Sequence, residues 1–154
     1  KNIRHLIDTA VAKLVLVLGR FSPERKAVLD RVRVELRAKG YVPVVFDFEG
    51  PSTRDTTETV STLAHLARFV IADLSDPRCV QHELSQIVPY LPSVPVAPII
   101  DAGQPPYAMV DHWASFAWVL KTYAYENADA LIADLDSRIV GPAEAKWLEK
   151  HAPR

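Results

Sequence analysis

The sequence predicts an α/β domain in which a five-stranded, all-parallel sheet lies between two layers of helices. Three observations carry that expectation. Short apolar runs recur along the chain, at lengths that suit strands. Stretches with apolar residues at helical spacing separate them. Proline, glycine and polar caps fall at the junctions, where helices start and stop. Strands alternating with helices require right-handed crossovers within one sheet. The expected arrangement is the flavodoxin-like three-layer sandwich with strand order 2-1-3-4-5, which puts the first strand inside the sheet, between two others.

Each element follows from its own residues. Lys1 to Ala12 reads as a lead-in helix or linker, as from an upstream domain, and 13–154 as the domain proper. Lys13 to Gly19 (KLVLVLG) is a continuous apolar run, as expected for a strand buried on both faces. Ser22-Pro23 caps a helix that carries Val28, Leu29, Val32 and Leu36 and stops at Gly40. Tyr41 to Phe48 is the second strand, and Pro43, which lacks an N–H, assigns it to a sheet edge. A helix over 54–67 turns Val60, Leu63, Ala64 and Ala67 inward, and Phe69 to Leu74 follows as the third strand. Asp76-Pro77 opens a helix with Val80, Leu84, Ile87 and Val88 on its core stripe. Val94 to Ile100 is the fourth strand, 107–113 a short helix and Phe116 to Leu120 the fifth strand. A last helix spans Asn127 to Val140, with a helical extension over 142–150.

Composition limits the function classes. The chain has 154 residues, of which 49% are hydrophobic and 24% charged, as in an ordinary globular domain. Its formal net charge of -1 gives no global field for nucleic acid or an anionic membrane. No apolar run reaches the length of a membrane span. Cys79 is the only cysteine, so neither an internal disulfide nor a multi-cysteine zinc site can form. These features are those expected of a cytoplasmic protein. The histidines show no metal-ligand spacing, so no metal is expected. No GxGxxG, P-loop or GxSxG sequence is present, which leaves Rossmann hydride transfer, P-loop phosphoryl transfer and elbow-type hydrolysis without support.

In open α/β sheets, ligands bind beyond the carboxyl ends of the strands, near the point where the strand order reverses. Gly19, Arg20 and Phe21 follow the first strand there, and Asp47, Phe48 and Glu49 the second. Asp73, Ser75 and Asp76 follow the third, and Asp101 the fourth. Glu83 stands out, because it lies beside the apolar stripe of its helix, four residues after Cys79 on the same face. By spacing alone, a solvated helix glutamate is the commoner meaning of such a residue. Glu144, on the C-terminal extension, is expected to be silent when neutralised.

The segment KLVLVLGRFSPERKAVLDRVRVELRAKGYVPVVFDFE resembles the first strand, helix and second strand of a TIR (Toll/interleukin-1 receptor) domain. FVIADLSDPRCVQHELSQI resembles the later TIR segment, where serine ends a strand and cysteine and glutamate follow on a helix. The resemblance runs over roughly residues 13–140 and is most specific at Ser75, Cys79 and Glu83. Three residues separate Cys79 from Glu83, where the family usually has two. The family is similar in fold to nucleoside 2-deoxyribosyltransferases, which also place a glutamate here.

The resemblance implies an NAD glycohydrolase that cleaves the nicotinamide–ribose bond, as an effector of a bacterial immune system. Glu83 would be the catalytic residue. Gly19, Arg20, Phe21, Asp47, Phe48, Ser75 and Cys79 would line the substrate site. NAD or a related nucleotide enters as substrate, and no cofactor is implied. Partners implied are further copies of the domain, joined through TIR-like surfaces, and additional domains in a longer protein. The chemistry is consistent with one carboxylate: breaking a ribose–nitrogen bond builds positive charge on the sugar, which a fixed carboxylate stabilises or traps covalently. A non-catalytic TIR-like adaptor and a deoxyribosyltransferase-like enzyme are the competing expectations.

Overall fold

The computed structural model describes residues 2–19, 23–47, 54–75, 89, 94–103 and 116–151. The expected helix from Asp76 and the short helix over 107–113 lie outside these residues. The described elements run α1 (Ile3–Val11), β1 (Leu14–Gly19), α2 (Pro23–Ala38), β2 (Val42–Asp47), α3 (Arg54–Leu66), β3 (Phe69–Asp73), β4 (Val96–Asp101), β5 (Tyr123–Tyr125) and α4 (Ala128–Asp134). A π-helical stretch, Leu135–Val140, joins α4 to α5 (Gly141–His151).

The five strands form one parallel sheet of order β2-β1-β3-β4-β5. This is the predicted flavodoxin-like arrangement. Val15 to Leu18 are fully buried, because β1 has a strand on each side and helices on both faces. Leu16 and Leu18 pack with Val60 and Ala64 of α3 on one face. Val15 and Val17 share the other face with Leu29, Val32 and Leu36 of α2 and with Leu131, Leu135 and Ile139 of the C-terminal helices. Pro43 does sit on an edge strand.

The chain reversal after α2 follows from one glycine. Gly40 adopts φ 90, a conformation that costs glycine little. Its N–H reaches Arg37 O at 3.0 Å and the Tyr41 N–H reaches Leu36 O at 3.0 Å. This pair of bonds is the Schellman end of a helix, and it aims the chain into β2.

The fifth strand differs from expectation. Phe116 to Leu120 contributes only an isolated bridge, Val96 to Val119, and the strand proper is Tyr123–Tyr125. Pro98 supplies the physical reason. Val96 donates to Trp118 O and accepts from Leu120 N, so the next N–H of β4 facing that side would belong to residue 98. Proline has none, the ladder lapses, and the register slips by one residue before Ile99 pairs with Tyr123. Phe116 and Trp118 instead pack on the α3 side of the sheet.

The last helix is also interrupted where the sequence predicts continuity to Val140. Gly141 N–H bonds to Asp136 O, a wider turn than the α-helical one. Pro142 follows, and its ring would meet the carbonyl four residues back in a regular α-helix.

Glu144 is not the silent residue expected. It holds Arg68 in a two-pronged pair, at 2.7 Å from the terminal nitrogen and 3.1–3.2 Å from Nε, and accepts from Tyr41 Oη at 2.9 Å. Arg68 also lies 3.4 Å above the Trp147 ring. Burial pushes the Glu144 carboxyl up, but the Arg68 and Tyr41 hydrogen bonds outweigh it and hold the group below the ordinary carboxylate range. The cluster fastens α5 to the amino-terminal edge of the sheet, beside a cavity of about 280 Å³ lined by His65, Arg68, Trp147 and His151 among others.

Candidate active site

The carboxyl edge of the sheet carries a compact polar cluster. Asp73 ends β3 after four apolar residues, and the pleat turns its side chain to the face shared by Phe69, Ile71 and α2. Asp73 and Ser75 are the buried polar residues among those described, at 2% and 7% exposure. Asp73 Oδ1 accepts the Ser75 backbone N–H at 3.0 Å and the Ser75 hydroxyl at 2.6 Å. Ser75 Oγ in turn accepts the Asp101 backbone N–H at 2.8 Å. It also lies 3.2 Å from Tyr125 Oη. A serine hydroxyl has one hydrogen, and Asp73 takes it, so the Tyr125 phenol is the donor in the last contact.

Ser75 therefore joins the ends of three neighbouring strands. Asp101 extends the cluster: its Oδ1 accepts the Gly103 N–H at 2.9 Å, and its Oδ2 pairs with Arg25 at 3.5 Å. Arg25 comes from the first turn of α2, and its guanidinium stands 5.6 Å from the Tyr125 ring centre.

Asp73 Oδ2 has no hydrogen-bond partner among the described residues, although it is buried. Burial pushes the Asp73 carboxyl above the ordinary range; the hydrogen bonds from Ser75 and the charge of Arg25 oppose the rise without cancelling it. Tyr125 is pushed up to about 12, by burial first and by the nearby Asp73 charge second, so its phenol keeps its proton as a donor.

Of the residues that the resemblance assigns to the site, Gly19, Asp47 and Ser75 are described, and all three lie at this edge, as do Asp73 and Asp101. Gly19 and Asp47 are register partners at the ends of β1 and β2. The neighbouring β1–β3 pairing reaches Leu18 and Ala72, one residue short of Gly19 and Asp73. That is the boundary where the strand order reverses. Arg20, Phe21, Phe48, Cys79 and Glu83 lie outside the described residues.

Arg25 and Tyr125 escaped the sequence reading. Tyr125 was hidden by the misplaced fifth strand. Its signal is the YAY alternation, which buries Tyr123 and Tyr125 and exposes Ala124. Asp73 was legible as an acid closing an apolar strand, but its burial was not. Among the described residues, no three His, Cys, Asp or Glu side chains are grouped to hold a metal. No helix among them is long and apolar enough to cross a membrane.

No protein family matches the chain by sequence profile, and no curated protein matches it in sequence. Among solved structures, a CMP N-glycosidase from Clostridium botulinum has a similar fold. The TM-score is 0.61 at 11% sequence identity, over 80% of this chain and 98% of that one. The likeness defines a fold class: a parallel, doubly wound α/β domain whose carboxyl edge is the ligand edge.

Proposed function

We propose that this chain cleaves an N-glycosidic bond of a nucleotide, and that its substrate is NAD. The observation that carries the proposal is the buried Asp73–Ser75–Tyr125 cluster at the carboxyl edge of the sheet, whose Asp73 ends the strand beside the reversal point. It presents fixed polar groups at the edge where this fold class binds ligands. A fold neighbour described as a CMP N-glycosidase supports the reaction class. The sequence resemblance to TIR domains supports NAD in particular and gives Glu83 the catalytic role.

In the proposed reaction, the C1′–N bond to nicotinamide breaks and its electron pair leaves with the ring nitrogen. Water adds its oxygen to C1′ and loses a proton, which yields ADP-ribose and free nicotinamide. The Glu83 carboxylate stabilises the cationic sugar or adds to C1′ before water displaces it. The TIR resemblance likewise supports self-association and an effector role in bacterial immunity.

A second reading is a nucleoside monophosphate N-glycosidase, favoured by the CMP-cleaving fold neighbour. One experiment separates the two. The protein is incubated with NAD, CMP and dCMP in parallel, and free base is measured by chromatography. Nicotinamide release with no cytosine release supports the NAD reading, and the reverse supports the second. No base release from any of the three, at low and at high protein concentration, overturns both and favours the adaptor.

A further inference from the structure

We propose that Asp73 is a positioning residue for catalysis at this edge: through Ser75 it sets where the chain leaves β3 and ties that point to the ends of β4 and β5. The proposal deepens the N-glycosidase reading and rests on it. Ser75 Oγ has one hydrogen and two lone pairs, and Asp73, Asp101 and Tyr125 use all of them. Asp73 also takes the Ser75 backbone N–H, so both the side chain and the main chain of Ser75 are oriented by one carboxyl. Removing that carboxyl frees the serine hydroxyl to turn and leaves a buried N–H without an acceptor. Ser75 stands eight residues before Glu83 in the sequence. On the reading that gives Glu83 the chemistry, Ser75 is where the described chain ends before the segment that carries it.

An asparagine would make the same turn without a group that ionises. What an aspartic acid adds is sensitivity to charge. Among the described residues, the groups facing it are Arg25 from α2, Asp101 from β4 and Tyr125 from β5, while β1 ends in Gly19 and brings no side chain. The Ser75 hydrogen bonds and Arg25 favour the anion of Asp73 while burial favours its neutral form, so the contacts that orient Ser75 do not require the neutral group.

The test uses Asp73→Ala, Asp73→Asn and Ser75→Ala in steady-state assays over a pH series. Amide hydrogen exchange at Ser75 and Asp101 is measured alongside. Asp73→Ala should lose about 10- to 100-fold in kcat with little change in KM, the scale expected when reacting groups are misplaced rather than removed. Asp73→Asn should recover most of that loss. Exchange at Ser75 and Asp101 should accelerate at least about tenfold in Asp73→Ala and stay near the parent in Asp73→Asn. If Asp73→Ala does not fold, Ser75→Ala takes its place: the same kcat loss is expected, with faster exchange at Asp101, whose N–H loses its acceptor, and parental exchange at residue 75, whose N–H keeps Asp73. A parent that cleaves its nucleotide while Asp73→Ala keeps full kcat, or keeps parental exchange at both amides, overturns the positioning role alone. A parent that cleaves nothing overturns the N-glycosidase reading and the catalytic part of this proposal with it.

Discussion

Replacing Asp73 by asparagine should make the protein more stable than the parent at high pH. Asp73 is 2% exposed, and its Oδ2 has no hydrogen-bond partner among the described residues. Burial raises its pKa in the folded state above the value in the unfolded chain. The sign follows from linkage. A raised folded pKa means the contribution is complete below the unfolded pKa and is lost as pH rises through the folded one. Each unit of upward shift removes about 1.4 kcal/mol once the pH has passed both values.

Asparagine keeps the acceptor that Ser75 uses and carries no ionisable group, so its stability should not follow this slope. Asp73→Ala, by contrast, leaves the buried Ser75 N–H and hydroxyl without their acceptor, at about 1–3 kcal/mol for each unsatisfied group. It should be destabilised by about 2–6 kcal/mol at low pH, and the gap to the parent should narrow as pH rises through the folded pKa of Asp73. The assay is urea denaturation of parent, Asn and Ala variants from about pH 4 to about pH 9, with fixed slopes checked across the series. A parent that gains stability relative to Asp73→Asn as pH rises would refute the reasoning. That result would mean Arg25 holds Asp73 as an anion despite its burial.

Further outcomes are expected elsewhere in the chain. Glu83→Gln should fold like the parent and lose about 10²–10³ in turnover, while NAD binding measured by calorimetry changes much less. Equal turnover in parent and variant would remove Glu83 from the mechanism. Glu144→Gln should lower stability by about 1–2 kcal/mol in chemical denaturation, because Arg68 and Tyr41 lose a charged acceptor. Gly141→Ala should destabilise by about 1–3 kcal/mol. The usual helix preference for alanine predicts the opposite sign, but its Cβ would meet Asp136 O at 2.8 Å. Specific activity should rise steeply with protein concentration if the TIR-like self-association holds; a flat dilution series in the nicotinamide assay counts against it.

The interior place of β1 and the edge place of β2 were legible in local sequence. A short continuous apolar run suits a strand covered on both faces, and Pro43, which has no N–H to give a second neighbour, suits an edge. Gly40 likewise announced the end of α2. The carboxyl edge as the place of the site followed from the parallel sheet alone. What the sequence could not determine depended on neighbours distant along the chain. The fifth strand starts at Tyr123 because Pro98, on the adjacent strand, withholds a donor from the segment that looked more strand-like. Glu144 has an ordinary surface-helix setting in sequence, yet Arg68 and Tyr41 claim it from elements far upstream. The cluster at Ser75 draws its partners from α2, β3, β4 and β5, and those meet only once the crossovers have brought the strand ends together. Periodicity reports which face a residue takes; which charge or donor it finds there is decided by packing, because hydrogen bonds act over a few ångströms and the sequence separation between partners is tens of residues.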